Sequence, residues 1–197
     1  MHPGKLSIIL LAYQSEKRLE KAVTEIDTSL SAAGIPHEIV IIDDGSTDQS
    51  FAKARELAQR MENISAYSLS RNYTSPMAQF AGLEMCTGQC ACPMPDDGQR
   101  PIAHIIDMYR LWEKGHKIIL GYREGRDDGR VNDFFSNGYY SFMNRFSEIT
   151  FPPGGSDGYL IDREIIDLLN TRISKRNTTP VIELLKLGYG TVFVPYQ

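Results

Sequence analysis

The sequence holds only three cysteines, Cys86, Cys90 and Cys92, an odd number crowded into one short stretch. Secreted disulfide frameworks spread even numbers along the chain, so that class is excluded. A zinc site would need further ligands, and no Cys or His cluster follows at a metal-ligand spacing. The thiols are therefore read as packed strand residues. No apolar run approaches the roughly 18 residues of a membrane span. Met1-His2-Pro3-Gly4-Lys5 leads straight into apolar Leu6 to Leu11, without the layout of a signal peptide. The expectation is a soluble domain with no export signal. Excess positive charge is also lacking: the net charge is −4, which argues against a nucleic-acid-binding surface.

Two common catalytic signatures are missing as well. There is no phosphate-cradling loop ending in Gly-Lys-Ser/Thr and no Gly-x-Ser-x-Gly nucleophile elbow. His2, His37, His104 and His116 are scattered among tail, turn and helix positions, none in a nucleophile–base pattern. No repeat, low-complexity linker or shift in composition marks a second domain. What remains is ordinary globular composition, 42% hydrophobic and 23% charged over 197 residues, enough for one domain with a sizeable core.

Apolar periodicity gives an alternating order of elements. Leu6 to Tyr13 reads as a strand, and Leu19, Val23, Ile26 and Leu30 recur at helical spacing before Gly34-Ile35-Pro36. His37 to Asp43 is the next strand, Ser50 to Met61 a helix, Ile64 to Leu69 a strand and Met77 to Met85 a helix. Cys90 to Met94 is extended, Ile102 to Trp112 helical and Lys117 to Leu120 extended. After Gly121 comes a charged, glycine-broken stretch to Arg130, read as a loop over the site. Phe134 to Phe146, Arg163 to Leu169 and Val181 to Leu187 read as helices, with a last strand at Thr191 to Val194. Such alternation implies an α/β fold: a mostly parallel central sheet with helices on both faces, joined by right-handed crossovers.

In open sheets of this kind ligands bind beyond the carboxyl ends of the strands. Ile39-Val40-Ile41-Ile42-Asp43-Asp44-Gly45-Ser46-Thr47-Asp48 delivers two carboxylates and a turn to such an end. Gly45 permits the sharp turn, and Ser46 or Thr47 is placed to cap the following helix. Met94-Pro95-Asp96-Asp97-Gly98-Gln99-Arg100-Pro101 puts a second acidic cluster at the end of a neighbouring strand. A divalent ion on a diphosphate needs only one or two protein oxygens, which Asp97 can supply with Asp96 or the Gln99 amide. Arg71-Asn72 lies on the same rim, and a guanidinium there suits phosphate or a base. Arg123, Arg126 and Arg130 add cations that can clamp phosphates. Asp157, set among Gly154-Gly155-Ser156 and Gly158, sits in a mobile segment where a carboxylate can act as base or electrostatic orienter. Each motif alone also has a bland reading: a solvated, capped turn for Asp43-Asp44, for the Asp96-Asp97 cluster and for Asp157, and an exposed surface charge for Arg71.

Taken in order, Leu11-Ala12-Tyr13-Gln14-Ser15-Glu16, Ile42 to Asp48, Ser70-Arg71-Asn72-Tyr73, Met94 to Pro101 and Gly121-Tyr122-Arg123-Glu124-Gly125-Arg126 resemble the inverting family-2 glycosyltransferases of GT-A fold. The resemblance is greatest to the branch of dolichyl-phosphate mannose synthases and undecaprenyl-phosphate glucosyltransferases, and it covers nearly the whole chain. It implies a nucleotide site at Ala12, Tyr13, Glu16, Asp43 and Asp44, with Arg71 and Asn72 beside the nucleotide. It implies that Asp96 and Asp97 face the diphosphate, with Mg²⁺ or Mn²⁺ on Asp97 and Gln99, and that Asp157, Arg123 and Arg126 serve catalysis. The sequence departs from the family pattern at four places: Pro95 stands at the first metal-motif Asp, Tyr159 at an arginine, Gln14 at an asparagine and Thr74-Ser75 at a glycine-containing pair.

What the resemblance implies is inverting transfer of a sugar from a nucleotide-diphosphate sugar donor to a polyprenyl-phosphate or glycan acceptor. Residues 1–197 would be the catalytic domain, short of a C-terminal membrane-associated region. The location would be cytoplasmic, at the inner face of the membrane, with no nucleic-acid partner and with a homo-oligomer compatible with the reading. Two rivals stand beside it: a catalytically impaired nucleotide-sugar binding or scaffold module, suggested by Pro95 and Tyr159, and a nucleotidyltransferase.

Overall fold

A computed structural model of the chain describes residues 4–123 and 158–196. Within them the elements run β1 (Leu6–Ala12), α1 (Leu19–Ala32), β2 (His37–Asp43), α2 (Ser50–Arg60), β3 (Ile64–Ser68), α3 (Ser75–Met85), β4 (Cys90–Pro95), α4 (Ile102–Glu113) and β5 (Ile118–Arg123). After the undescribed stretch come β6 (Gly158–Asp162), α5 (Arg163–Thr171), α6 (Pro180–Lys186) and β7 (Thr191–Tyr196). The strands form one sheet in the order β3-β2-β1-β4-β6-β5-β7. β1 pairs parallel with β2 and β4, β2 with β3, and β5 with β7, whereas β6 runs antiparallel to both β4 and β5.

Because helices cover both faces, the central strands are apolar on both sides. From β1, Leu6, Ile8 and Leu10 face α1, α2 and α4, while Ile9 faces α3, α5 and α6. The spacing read from the sequence places the buried stripe of α1: Leu19, Val23, Ile26 and Leu30 are all in the core. On the other face Gly82 lets α3 lie close against the sheet, since a Cβ there would meet Ile9 Cγ2 at 2.1 Å. Cys86, Cys90 and Cys92 are free and buried; Cys90 and Cys92 lie in β4 as expected, whereas Cys86 caps the end of α3, and burial pushes all three thiols up from their ordinary pKa. Among the described residues no helix is long and apolar enough to cross a membrane.

Two local expectations need correcting. The sequence reading treats Gly158 as part of a mobile segment, but Gly158–Asp162 is a central strand wedged between β4 and β5. In the sequence Gly158 reads as the end of the glycine-rich run around Asp157, whereas Tyr159, Leu160 and Ile161 after it are all buried. Neither Ser46 nor Thr47 caps α2. The helix begins at Ser50, whose N–H is taken by Asp48 Oδ1 at 3.0 Å. The expected helix at 134–146 lies outside the described residues.

Candidate active site

The strand order reverses direction between β1 and β4, and the crevice opens there, beyond their carboxyl ends. It is a cleft of 470 Å³ lined by Ala12 at the end of β1 and Tyr13 after it, Asp44 after β2, Asn72 and Thr74 before α3, and Asp96 and Asp97 after β4. The volume falls in the range of small-molecule sites.

The β1 and β2 ends are held together by side chains that the sequence suggested for a helix cap. Ser46 Oγ accepts the Gln14 N–H at 2.9 Å, and Gln14 Nε2 donates to Thr47 Oγ1 at 2.9 Å. Ser15 N–H donates to Ser50 Oγ at 2.6 Å, and Asp44 N–H to the Ala12 carbonyl at 2.9 Å. The two acids of this rim differ in position. Asp44 lines the cleft, and its Oδ1 accepts the Tyr73 N–H at 2.8 Å. Asp43 lies beneath, 1% exposed, with Oδ2 accepting from Ser46 N–H at 3.2 Å and Ser68 Oγ at 2.8 Å. Its Oδ1 is buried without a partner among the described residues.

The loop before α3 supplies the facing wall. Asn72 lines the cleft and accepts the Thr74 N–H on Oδ1 at 3.0 Å. Arg71 turns elsewhere: its guanidinium lies over the Tyr73 ring, 4.4 Å from the centroid. Glu16 is likewise off the cleft lining, because its Oε2 accepts the Gln49 N–H at 3.1 Å and so braces the β2–α2 connection. The structure thus brings Ala12, Tyr13, Asp44, Asn72, Asp96 and Asp97 together and sets Glu16, Asp43 and Arg71 behind or beside them. Arg123 ends β5, exposed on the same edge of the sheet. Arg126, Arg130 and Asp157 lie outside the described residues.

The β4 end carries the proposed metal ligands. Asp96 is buried, and its Oδ2 sits 3.0 Å from Arg18 Nε, a charge contact without hydrogen-bond geometry. Asp97 is exposed, with Oδ1 accepting the Gln99 N–H at 3.0 Å. Gln99 is exposed beside it. Among the described residues no three His, Cys, Asp or Glu side chains gather as a cage for a metal ion. A divalent ion carried in by a diphosphate does not need one, since phosphate oxygens and water complete its shell, and an exposed Asp97 carboxylate fits that demand.

Sequence reasoning missed Arg18, Thr74 and Ser75 in the cleft lining. Arg18 just precedes α1 and points back over the rim, donating from Nη2 to the Tyr13 carbonyl at 3.0 Å and Ser15 Oγ at 3.1 Å. Nothing in a helix-start arginine signals this; only the short β1–α1 connection puts it there.

The profile of glycosyl transferase family 2 matches residues 7–168. The chain belongs to this family. Among its relatives, an uncharacterised glycosyltransferase of Synechocystis is 28% identical over 194 residues, which is 98% of this chain and 61% of the relative. The bactoprenol glucosyl transferase of Shigella phage SfX is 29% identical over 167 residues, 83% of this chain and 54% of that protein. The chain therefore spans less than two thirds of the length of these curated relatives. A mannosyltransferase from Pyrobaculum calidifontis, solved with GDP-Man and Mn²⁺, superposes with a TM-score of 0.65 at 14% identity, over 99% of this chain and 56% of that one. Glucosyl-3-phosphoglycerate synthase from Mycobacterium tuberculosis, solved with Mn²⁺, UDP and phosphoglyceric acid, gives 0.65 at 15% identity, over 98% and 68%. These likenesses establish the shared GT-A fold.

Proposed function

We propose that the chain is the catalytic domain of an inverting glycosyltransferase that moves a sugar from a nucleotide-diphosphate sugar to a polyprenyl phosphate. The observation that carries this reading is the 470 Å³ cleft at the β1/β4 switch point, walled by Asp44 and Asn72 on one side and by Asp96 and Asp97 on the other. Family membership and the bactoprenol glucosyl transferase relatives support the donor and acceptor classes.

Tyr13, 44% exposed at the cleft, offers its ring face to the nucleoside, while Asp44 and Asn72 offer acceptors to base and ribose. Asp97 and Gln99 would hold Mg²⁺ or Mn²⁺ with the diphosphate; when bound, that ion neutralises charge building on the leaving group. Arg18 adds a fixed cation to the same cleft, and Arg123 and Arg126 are assigned to the phosphates of donor and acceptor. The acceptor attacks the anomeric carbon from the face opposite the leaving diphosphate, which inverts it. A phosphate acceptor is already anionic at neutral pH, so Asp157 orients the acceptor and no strong base is required. The membrane location and a C-terminal membrane-associated region belong to the same proposal.

The test is a panel of radiolabelled nucleotide sugars with isolated polyprenyl phosphate. Transfer to lipid with inverted configuration is expected. Tight nucleotide binding without transfer or donor hydrolysis would favour a binding module instead. Pyrophosphate release from a nucleoside triphosphate would sink the proposal in favour of a nucleotidyltransferase.

A further inference from the structure

Arg100 stands between β4 and α4, in the acidic motif, yet it is 5% exposed. An arginine keeps its charge at any accessible pH, so burial calls for compensation. Its hydrogen-bond partners among the described residues are neutral: Nη2 donates to the Pro93 carbonyl and Nη1 to Cys92 Sγ at 3.7 Å. Nε is buried with no partner among the described residues. The guanidinium packs against the backbone of Gly158, where a Cβ would meet Nη1 at 2.1 Å. His104 and Tyr159, also buried, contribute no charge there at neutral pH: burial first and the Arg100 charge second push His104 down to about 4, and burial pushes the Tyr159 hydroxyl up.

This cation lines a second cleft of 310 Å³, with Ser75, Gln79, Gly158, Tyr159 and Val181. Leu11, Ser75 and Pro95 line both clefts, so the second adjoins the nucleoside cleft at its α3 side. Ser75 opens α3, an 11-residue helix with no side-chain cap and no acid in its first turn. Pro76 carries no N–H and the Met77 N–H is taken by the Thr74 carbonyl at 3.1 Å, so the first turn offers an anion the Ser75 N–H together with the helix dipole. A buried, under-compensated guanidinium and an uncapped helix start therefore meet on one cavity, the combination that binds phosphate.

We propose that Arg100 and the N-terminus of α3 form a second phosphoryl-binding subsite, separate from the nucleoside wall at Asp44 and Asn72. Two sources present that group: the acceptor phosphate and the donor diphosphate. The assignment of sources rests on the glycosyltransferase reading; the subsite itself does not.

The primary test is NMR of the full chain, following the Arg100 Nε–Hε cross-peak, assigned by its loss in Arg100→Lys, during titration with inorganic phosphate. A saturable shift is expected; its absence overturns the proposal without any need for a variant to fold. Calorimetry of folded Arg100→Gln should show inorganic phosphate bound about tenfold more weakly or worse. The arms then separate the sources. Selective weakening of a short prenyl phosphate, against its alcohol as control, assigns the acceptor. Selective weakening of UDP, against uridine, assigns the donor. Unchanged affinity for all three phosphates overturns the subsite. None of these measurements needs turnover, so a chain that failed to transfer sugar would leave the subsite standing, and a chain that transferred sugar with an indifferent Arg100 would leave the function standing.

Discussion

Arg18 and Asp96 meet across the mouth of the cleft: Nε lies 3.0 Å from Oδ2, one residue poised before α1 and the other just beyond β4. The contact bridges the two strands flanking the switch point, so the carboxylate nearest the sheet is already matched by a cation. Arg18 is half-exposed, and water screens the pair, which limits its worth to stability to about 1 kcal/mol or less. Its effect is on the site: it leaves the exposed Asp97 as the free acid of the motif.

Asp97→Ala is therefore expected to remove the Mg²⁺- or Mn²⁺-dependent part of UDP or GDP binding, while Asp96→Ala keeps that dependence and releases Arg18 into the cleft. Calorimetry with and without metal reads the difference. Equal loss of metal dependence in the two variants would transfer the ion to Asp96.

The adjacent acids Asp43 and Asp44 should separate in the same way. Asp43→Ala strands the Ser46 N–H and leaves the Ser68 hydroxyl only its longer bond to the Leu69 carbonyl, costing about 1–3 kcal/mol in urea unfolding. Asp44→Ala removes the carboxylate that accepts the Tyr73 N–H at the cleft and should cost about 1 kcal/mol but weaken nucleotide binding about tenfold. If Asp43→Ala harms binding more than stability, its orphaned Oδ1 is a ligand contact after all.

Much of this arrangement was legible in the sequence because strands buried on both faces print uninterrupted apolar runs, and Ile39 to Ile42 announces where its acids must emerge. Parallel order then forces Asp44 and Asp97 to one edge. What stayed hidden depends on tertiary reach. Arg18 and Arg100 look like surface charges, and only the packing shows one folded back over the rim and the other buried against Gly158. Strand β6 was missed because its first residue, Gly158, reads as the end of the glycine-rich run around Asp157, and its antiparallel direction has no local signature.

Two positions where the sequence departs from the pattern that the resemblance implies share a backbone cause. Gln14 has φ 51° and Thr74 has φ 78° with ψ 159°, conformations that asparagine and glycine tolerate best. For a β-branched residue the second region costs about 1–3 kcal/mol. Thr74→Gly should raise stability by about 1 kcal/mol after the entropy cost of glycine, whereas Gln14→Asn relieves the backbone but gives up the Gln14–Thr47 hydrogen bond and should come out near neutral. Thermal unfolding checks both; a lower Tm for Thr74→Gly would mean that its side chain holds the α3 start in place.

Acid should weaken the fold in two windows. His104 is held down to about 4 by burial and by the Arg100 charge, with Asp107 partly opposing. The unfolded chain binds that proton first, so its contribution is complete above pH 6.5 and lost as pH falls through about 4. For Glu38 burial alone would raise the pKa, but hydrogen bonds from Ser7, Thr87 and Lys5 outweigh it and draw it from 4.5 to about 2. That contribution disappears as pH falls from 4.5 through about 2. In urea titrations across pH, His104→Phe should flatten the upper window and Glu38→Gln the lower one. A Glu38→Gln protein with an unchanged acid slope would show that the network at the far end of the sheet is not the source.

Gly45 offers a test that links backbone shape directly to the cleft. It has φ +68°, and a Cβ there would meet the Arg71 carbonyl carbon at 2.3 Å, Arg71 Cα at 2.6 Å and Asn72 N at 2.7 Å. These are backbone atoms that no rotamer change can clear, so the loop carrying Asn72 must shift away from the Asp44 wall. Gly34 provides the control, with φ +67° and nothing within 4 Å of its added Cβ. Gly34→Ala should lose only the left-handed penalty, about 1–2 kcal/mol, and bind nucleotide normally. Gly45→Ala should lose that plus about 1–3 kcal/mol of steric strain, and nucleotide affinity should fall with it. Equal stability losses and intact binding in the two variants would mean that the β2 turn and the Asn72 loop do not shape the cleft together.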